Sequence, residues 1–128
     1  MSGNRLLIAT LLFLLPLWSS GALSELYELR TYTSHEGKLD ELTNRFKKHT
    51  VDLFEKHDIR NVGYWTPVDQ KNTLVYIIAH PDKEKAQSAW KNFSEDPAWK
   101  KVRSESMTNG ALVKHIESVY MVKTHFSP

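Results

Sequence analysis

The order of elements readable in the chain, strand, helix, strand, strand, helix, strand, predicts an α+β fold of the ferredoxin-like βαββαβ type. In that fold a four-stranded antiparallel sheet carries its helices on one face. Three observations predict it. Apolar residues recur at helical spacing over residues 39–57 and again over 82–95. Residues 26–32 and 112–124 alternate with period two. Between the helices lie two strand-like runs, 62–67 and 73–80, separated by Pro67 and the polar Asp69-Gln-Lys-Asn72 turn, as in a hairpin.

In chain order, the first strand places Glu28, Arg30 and Tyr32 on one face and Tyr27, Leu29 and Thr31 on the other. Ser34 and Gly37 break it, and a helix is expected from about Lys38 to His57. Leu39, Leu42, Phe46 and Leu53 form its inward stripe, with His49 in the gap between Phe46 and Leu53. The strand over 73–80 is apolar on both faces until His80, as suits an inner strand covered on each side. In the next helix Ala86, Ala89, Trp90 and Phe93 fit one face, and Asp82 suits its N-terminus. Asp96-Pro97 restarts a helix, with Asp96 as N-cap and Pro97 at the first helical position; Trp99, Val102 and Ser106 trace its inner side. Asn109-Gly110 stops it before the last strand.

The 128 residues suit one folded domain, 25–128, behind a leader. Residues 1–24 have Arg5 as their only charge and an apolar run over 6–18, about 20 Å as a helix against ~30 Å for a bilayer core. Small residues follow, with Ala22 and Ser24 placed for cleavage. A signal peptide is therefore expected, with export to the periplasm or outside the cell and no stable membrane span after cleavage. The alternative is an uncleaved leader acting as a membrane anchor. A formal charge of +2, from 17 basic and 15 acidic residues interspersed along the chain, offers no basic field for nucleic acid. The absence of cysteine excludes disulfides, thiolate metal sites and cysteine nucleophiles. With helices on one side only, the other face of the sheet would stay bare and apolar, which predicts a homodimer.

Several separate runs are together similar to one family. Glu28-Leu-Arg-Thr-Tyr32, Arg45-Phe46-x-x-His49-Thr50 with Leu53-Phe54-Glu55-Lys56-His57, Val62-Gly-Tyr-Trp65, Asn72-Thr-Leu-Val-Tyr76, Asp96-Pro-x-Trp99 and the closing Phe126-Ser-Pro128 resemble the NIPSNAP family over nearly all of 25–128. The resemblance implies a dimeric α+β barrel, in which two such sheets face each other. That group also contains small monooxygenases and haem-degrading enzymes. The resemblance implies no established reaction, since the family has none in general. Its better-known members are mitochondrial, and this chain departs from them in being one short domain behind a signal-like leader.

Candidate site residues gather on the first strand and around it. His49 is the candidate base or orienting donor, with Arg30 beside it as the second catalytic candidate. Glu28, Arg30, Tyr32, Tyr64, Trp65, His80 and Trp99 join His49 as candidate ligand contacts. Glu28 and Arg30 share a face and have an ion pair as their structural reading. Trp65, Trp90 and Trp99 could wall an aromatic cavity or simply fill the core, and one of the neighbours Tyr64 and Trp65 must face the barrel interior. The six histidines have no metal-binding spacing, and the Gly-x-Ser-x-Gly and Gly-rich phosphate motifs are absent, so neither a metal nor a cofactor is expected. A homodimer binding a small hydrophobic or aromatic molecule is the leading expectation. A cofactor-independent monooxygenase or isomerase, with His49 as base and Arg30 or Tyr64 stabilising charge, is the second. A purely structural dimerisation module is the third.

Overall fold

A computed structural model of the chain describes residues 25–128, and the leader expected over 1–24 lies outside them. Four strands, β1 (Leu26–Ser34), β2 (Arg60–Trp65), β3 (Thr73–His80) and β4 (Val113–Met121), form one antiparallel sheet in the order β2-β3-β1-β4. The helices are α1 (Leu39–Arg45), a π-helical turn Phe46–Thr50, α2 (Val51–Lys56), α3 (Lys83–Glu95) and α4 (Pro97–Ser106). This is the ferredoxin-like α+β arrangement that the element order predicts.

The register decides what each face carries. Glu28 lies opposite Ile78 and Tyr120, Arg30 opposite Tyr76 and Ser118, Tyr32 opposite Leu74 and Ile116. These side chains share the face toward the helices, because successive residues of a strand alternate between faces. The core forms there: Leu42, Phe46, Phe54, Tyr76, Ile78 and Phe93 are all buried. The other face presents Leu29, Val75, Ile77, Val119 and Trp65 with no layer over them among the described residues.

The first helix departs from its expected register, and the departure has a physical cause. Its buried residues are Leu42, Arg45, Phe46, Thr50 and Phe54, while His49 is exposed. In a regular α-helix a step of four overshoots one turn by about 40°, so 42, 46, 50 and 54 could not all stay inside. The π turn widens one turn and removes that drift. Thr50 therefore takes the inward position expected for His49, and its hydroxyl donates to the Arg45 carbonyl at 3.4 Å. The placement of His49 toward the sheet is thus corrected.

The later helices follow their caps. The Asp82 carboxylate accepts from the Lys85 N–H at 2.7 Å and that of Asp96 from the Ala98 N–H at 2.8 Å, with Pro97 opening α4. Asp96 also accepts from Lys56 Nζ and His57 Nε2, each at 2.7 Å, so it joins the end of α2 to the start of α4. These bonds, from Lys56 first, hold its carboxyl well below the usual carboxylate range. On β2 a bulge between Asn61 and Gly63 puts Tyr64 opposite Tyr76 on the helix side and Trp65 opposite Val75 on the bare side. The Trp65 indole lies across Gly63 so closely that a Cβ there would meet the ring at 2.5 Å. Among the described residues no helix is long and apolar enough to cross a membrane.

Candidate functional site

Glu28 is the centre of a buried polar cluster on the helix-facing side of the sheet. It is 1% exposed, yet each carboxylate oxygen has two donors. Oε1 accepts from the Trp90 indole at 2.7 Å and from His80 Nε2 at 3.0 Å. Oε2 accepts from Arg30 at 2.6 Å and from the Ser118 hydroxyl at 2.8 Å. A carboxylate only accepts, so His80 carries its proton on Nε2. Burial by itself would push the Glu28 carboxyl up, but the bonds from His80, Trp90, Arg30 and Ser118 outweigh it and bring the pKa down to about 2. A carboxylate so fully bonded is an anchor for its donors and a poor base.

Arg30 is held between this anchor and two aromatic rings. Its guanidinium lies 4.3 Å from the Trp90 ring centroid and donates to the Tyr32 hydroxyl at 3.3 Å. Burial disfavours its charge, but Tyr32, Tyr76 and Glu28 more than offset this and raise its pKa above the usual arginine value. Tyr32 and Tyr76 share one hydrogen bond of 3.0 Å between their hydroxyls. Burial raises the Tyr76 pKa well above the ordinary tyrosine value, so it stays protonated. When Tyr76 donates, the Tyr32 proton has no acceptor among the described residues and is available to a molecule beside it.

Beside Tyr32 there is room for one. A cavity of about 400 Å³ opens between the helices and the β1–β4 half of the sheet. Phe46 and Phe54 of the first helix, Trp90 and Phe93 of α3, and Trp99 of α4 wall it, with Tyr32 and Ile116 on the sheet side. Arg45, Arg103 and Lys114 add positive charge to its lining, and no aspartate or glutamate lines it among the described residues. Helix α3 packs on β3 while α4 packs on α1 and α3, and the edge strand β4 is left open, so that Ile116 and Tyr120 stay 43% and 40% exposed.

The structure thus brings Glu28, Arg30, Tyr32 and His80 into one network, and places Trp99 in the wall of the adjoining cavity. Tyr64 reaches this region only through its ring, stacked on Tyr76 with centroids 5.2 Å apart; burial raises its pKa well above the usual value. Trp65 points to the opposite face and is 52% exposed. His49 lines a shallow depression on the outer side of the helices with Glu41, Lys48 and Glu105, apart from the cavity. Arg45, Thr50 and Ser118 join the site without having been singled out for it, and Trp90, expected as cavity wall or core, lines the cavity and donates to Glu28. Arg45 did have a signal, since it follows Leu42 by three residues and so falls on the inward stripe. Ser118 had none, because its approach to Glu28 depends on the β1–β4 register. Among the described residues no three His, Asp or Glu side chains are grouped so as to hold a metal ion.

A family model described as NIPSNAP matches residues 27–128. Comparison with curated proteins returns no match. A solved NIPSNAP domain protein from Burkholderia xenovorans is 25% identical, with 80% of this chain and 98% of that one aligned at a TM-score of 0.69. A NIPSNAP family protein of unknown function from Agrobacterium tumefaciens is 21% identical, covering 83% and 94% of the two chains at 0.72. SnoaB, a cofactor-independent oxygenase from Streptomyces nogalater, is 17% identical, covering 82% and 98% at 0.59, a likeness of fold alone.

Proposed function

We propose, from the premise that the chain belongs to the NIPSNAP family, that this domain is a homodimeric binding module whose ligand is a small hydrophobic or aromatic molecule. The observation that carries the reading is the unfilled cavity of about 400 Å³ walled by aromatic rings. That volume falls within the range of small-molecule sites, which are mostly apolar with a few placed polar groups. Here the placed polar group is the Tyr32 hydroxyl, fixed by Arg30 and Tyr76, while the Trp90 indole, whose N–H is spent on Glu28, offers its ring as apolar wall. Binding is put ahead of the oxygenase-like alternative because neither Glu28 nor His49 serves the cavity as a base: Glu28 is saturated with donors and His49 faces away, while the histidine at the cavity's rim, His115, is exposed on the edge strand beside Glu117 at 3.5 Å. The test is mass spectrometry of small molecules released from the purified protein, beside an Ile116→Trp variant that fills the cavity from the exposed edge strand. The native protein should carry, or take up from a panel of aromatic compounds, a ligand that Ile116→Trp does not hold. Equal retention by both, or no binding to the native protein at millimolar concentrations, would overturn the reading.

The partner is a second copy packed on the bare sheet face. Leu29, Val75, Ile77, Val119 and Trp65 give that face an apolar centre, with Thr31, His115 and Glu117 toward one end, and a contiguous apolar patch is the usual mark of an interface. Light scattering at micromolar concentration should give a dimer, and Val119→Lys, at a position now 54% exposed, should give a folded monomer. A monomeric native protein would count against the dimer. Export is proposed on the leader pattern of residues 1–24 alone, with anchoring by an uncleaved leader as the alternative. N-terminal sequencing of the mature protein separates the two.

A further inference from the structure

We infer that the cavity is specific for an amphipathic anion, a molecule with an apolar, ring-sized body and one acidic head group, and that Arg45 is the anchor for that head. The inference rests on the reading of the cavity as a ligand site and names the class of ligand. Arg45 is 7% exposed, and among the described residues its only side-chain hydrogen bond is from a terminal guanidinium nitrogen to the Ser106 hydroxyl at 3.2 Å. Its Nε is buried with no partner among the described residues, as is that of Arg30, so what separates the two arginines is the counter-ion. The guanidinium lies 5.2 Å from the Trp99 ring centroid, on the wall of the cavity.

A buried cation is costly unless it is paired with an anion, and leaving its donors unmet adds to the cost. The carboxylates nearest in the fold are engaged elsewhere. Glu41 and Glu105 line the outer depression that Arg45 also borders, but neither comes within ion-pair distance of it: Glu41 pairs with Lys38 at 3.1 Å, and the exposed Glu105 lies 3.9 Å from Lys101. The charged neighbour that Arg45 does meet is Arg103, of its own sign. Arg30 makes the contrast. It sits on the same side of the sheet and has Glu28 at 2.6 Å as its counter-ion. One buried arginine is compensated from within the chain and the other is not. The second borders an aromatic cavity lined by cations, so the missing anion is best supplied by what enters the cavity. Arginine suits the purpose, since its planar fork meets a carboxylate or phosphate with two donors at once.

Isothermal titration of the unmodified protein with three naphthalene probes tests this. The probes are 2-naphthoate, 2-naphthyl phosphate and the neutral 2-naphthalenemethanol. An acid should bind at least about tenfold more tightly than the alcohol, as expected for a charge-assisted bond in a buried site. Whichever of the two acids binds better identifies the head group as carboxylate or phosphate. In Arg45→Met the acid's advantage should fall to within about twofold of the alcohol, whose own affinity should be kept. The variant should melt no lower than the native protein, because it removes an uncompensated charge from the interior. An alcohol that binds as well as both acids would overturn the inference and leave the binding reading standing. An acid preference untouched by Arg45→Met would overturn the role of Arg45. Failure of all three probes to bind would count against the cavity as a ligand site altogether. The comparison of probes on the native protein stands whether or not the variant folds.

Discussion

Replacing Glu28 by alanine is expected to lower unfolding free energy by about 3–5 kcal/mol, the range seen when one partner of a buried ion pair is removed. The loss follows from the arrangement of donors. Arg30 would be left as a buried cation with no counter-ion, and the His80, Trp90 and Ser118 donors would lose their acceptor together. Urea unfolding measures the effect, read as a shift in midpoint at unchanged slope. A change below about 1 kcal/mol, the size of an ordinary neutral hydrogen bond, would mean that the cluster holds little of the fold together.

The same carboxylate gives the protein a predictable acid response. Its pKa is lowered from 4.5 to about 2 on folding, so the unfolded chain takes up its proton first. The stabilisation is therefore complete above about pH 4.5 and is lost as pH falls through the interval down to about 2. At 1.36 kcal/mol per unit the full loss from this group is on the order of 3 kcal/mol. Native protein should lose most of that between pH 4.5 and 2, whereas Glu28→Gln should show a correspondingly flatter profile over the same interval.

Phe54→Ala should cost about 3–5 kcal/mol, as for other aromatic truncations in a packed core. Phe54 is 1% exposed and touches four aromatic neighbours, with centroids 5.0 Å from Phe93, 5.4 Å from Trp90 and 6.1 Å from both Phe46 and Tyr76. It also lines the aromatic cavity. Truncation should therefore do two separable things, lower the melting temperature and enlarge the space available to a ligand. A bulkier ring system added to Phe54→Ala should recover part of the lost stability, as binding to the folded state must. Val68→Ala, at a position 99% exposed, is the control and should stay within about 0.5 kcal/mol.

How much of this is legible in the sequence depends on how local the determining physics is. The stripe Ala86, Ala89, Trp90, Phe93 and the Asp96-Pro97 cap are local patterns, and the structure follows them closely. Glu28, Arg30 and Tyr32 fall on one strand face by simple alternation, and the structure joins them. The partners that complete the cluster come from β3, α3 and β4, at sequence separations of 52, 62 and 90 residues. No window of sequence contains those pairings. His49 shows the opposite difficulty. Its neighbourhood is regular enough to read as an α-helix, and a single π turn rotates it out to solvent. The pattern did hold a hint: Leu42, Phe46, Thr50 and Phe54 keep a step of four, where a straight α-helix alternates threes and fours.

That π turn also fixes how many residues this helix can hold between its two ends. Taking out one of the exposed pair Lys47 and Lys48 would turn the steps 4-4-4 between Leu42 and Phe54 into 4-3-4, the ordinary amphipathic rhythm. The arginine at the start of the turn and the threonine at its end are both bonded through the widened loop, Thr50 hydroxyl to Arg45 carbonyl. A helix one residue shorter would keep the apolar stripe but bring Arg45 and Thr50 one residue closer, losing the five-residue step that this bond spans. The extra residue of the turn thus keeps the buried positions in register on both sides of it, next to the one buried arginine among the described residues that has no ion-pair partner.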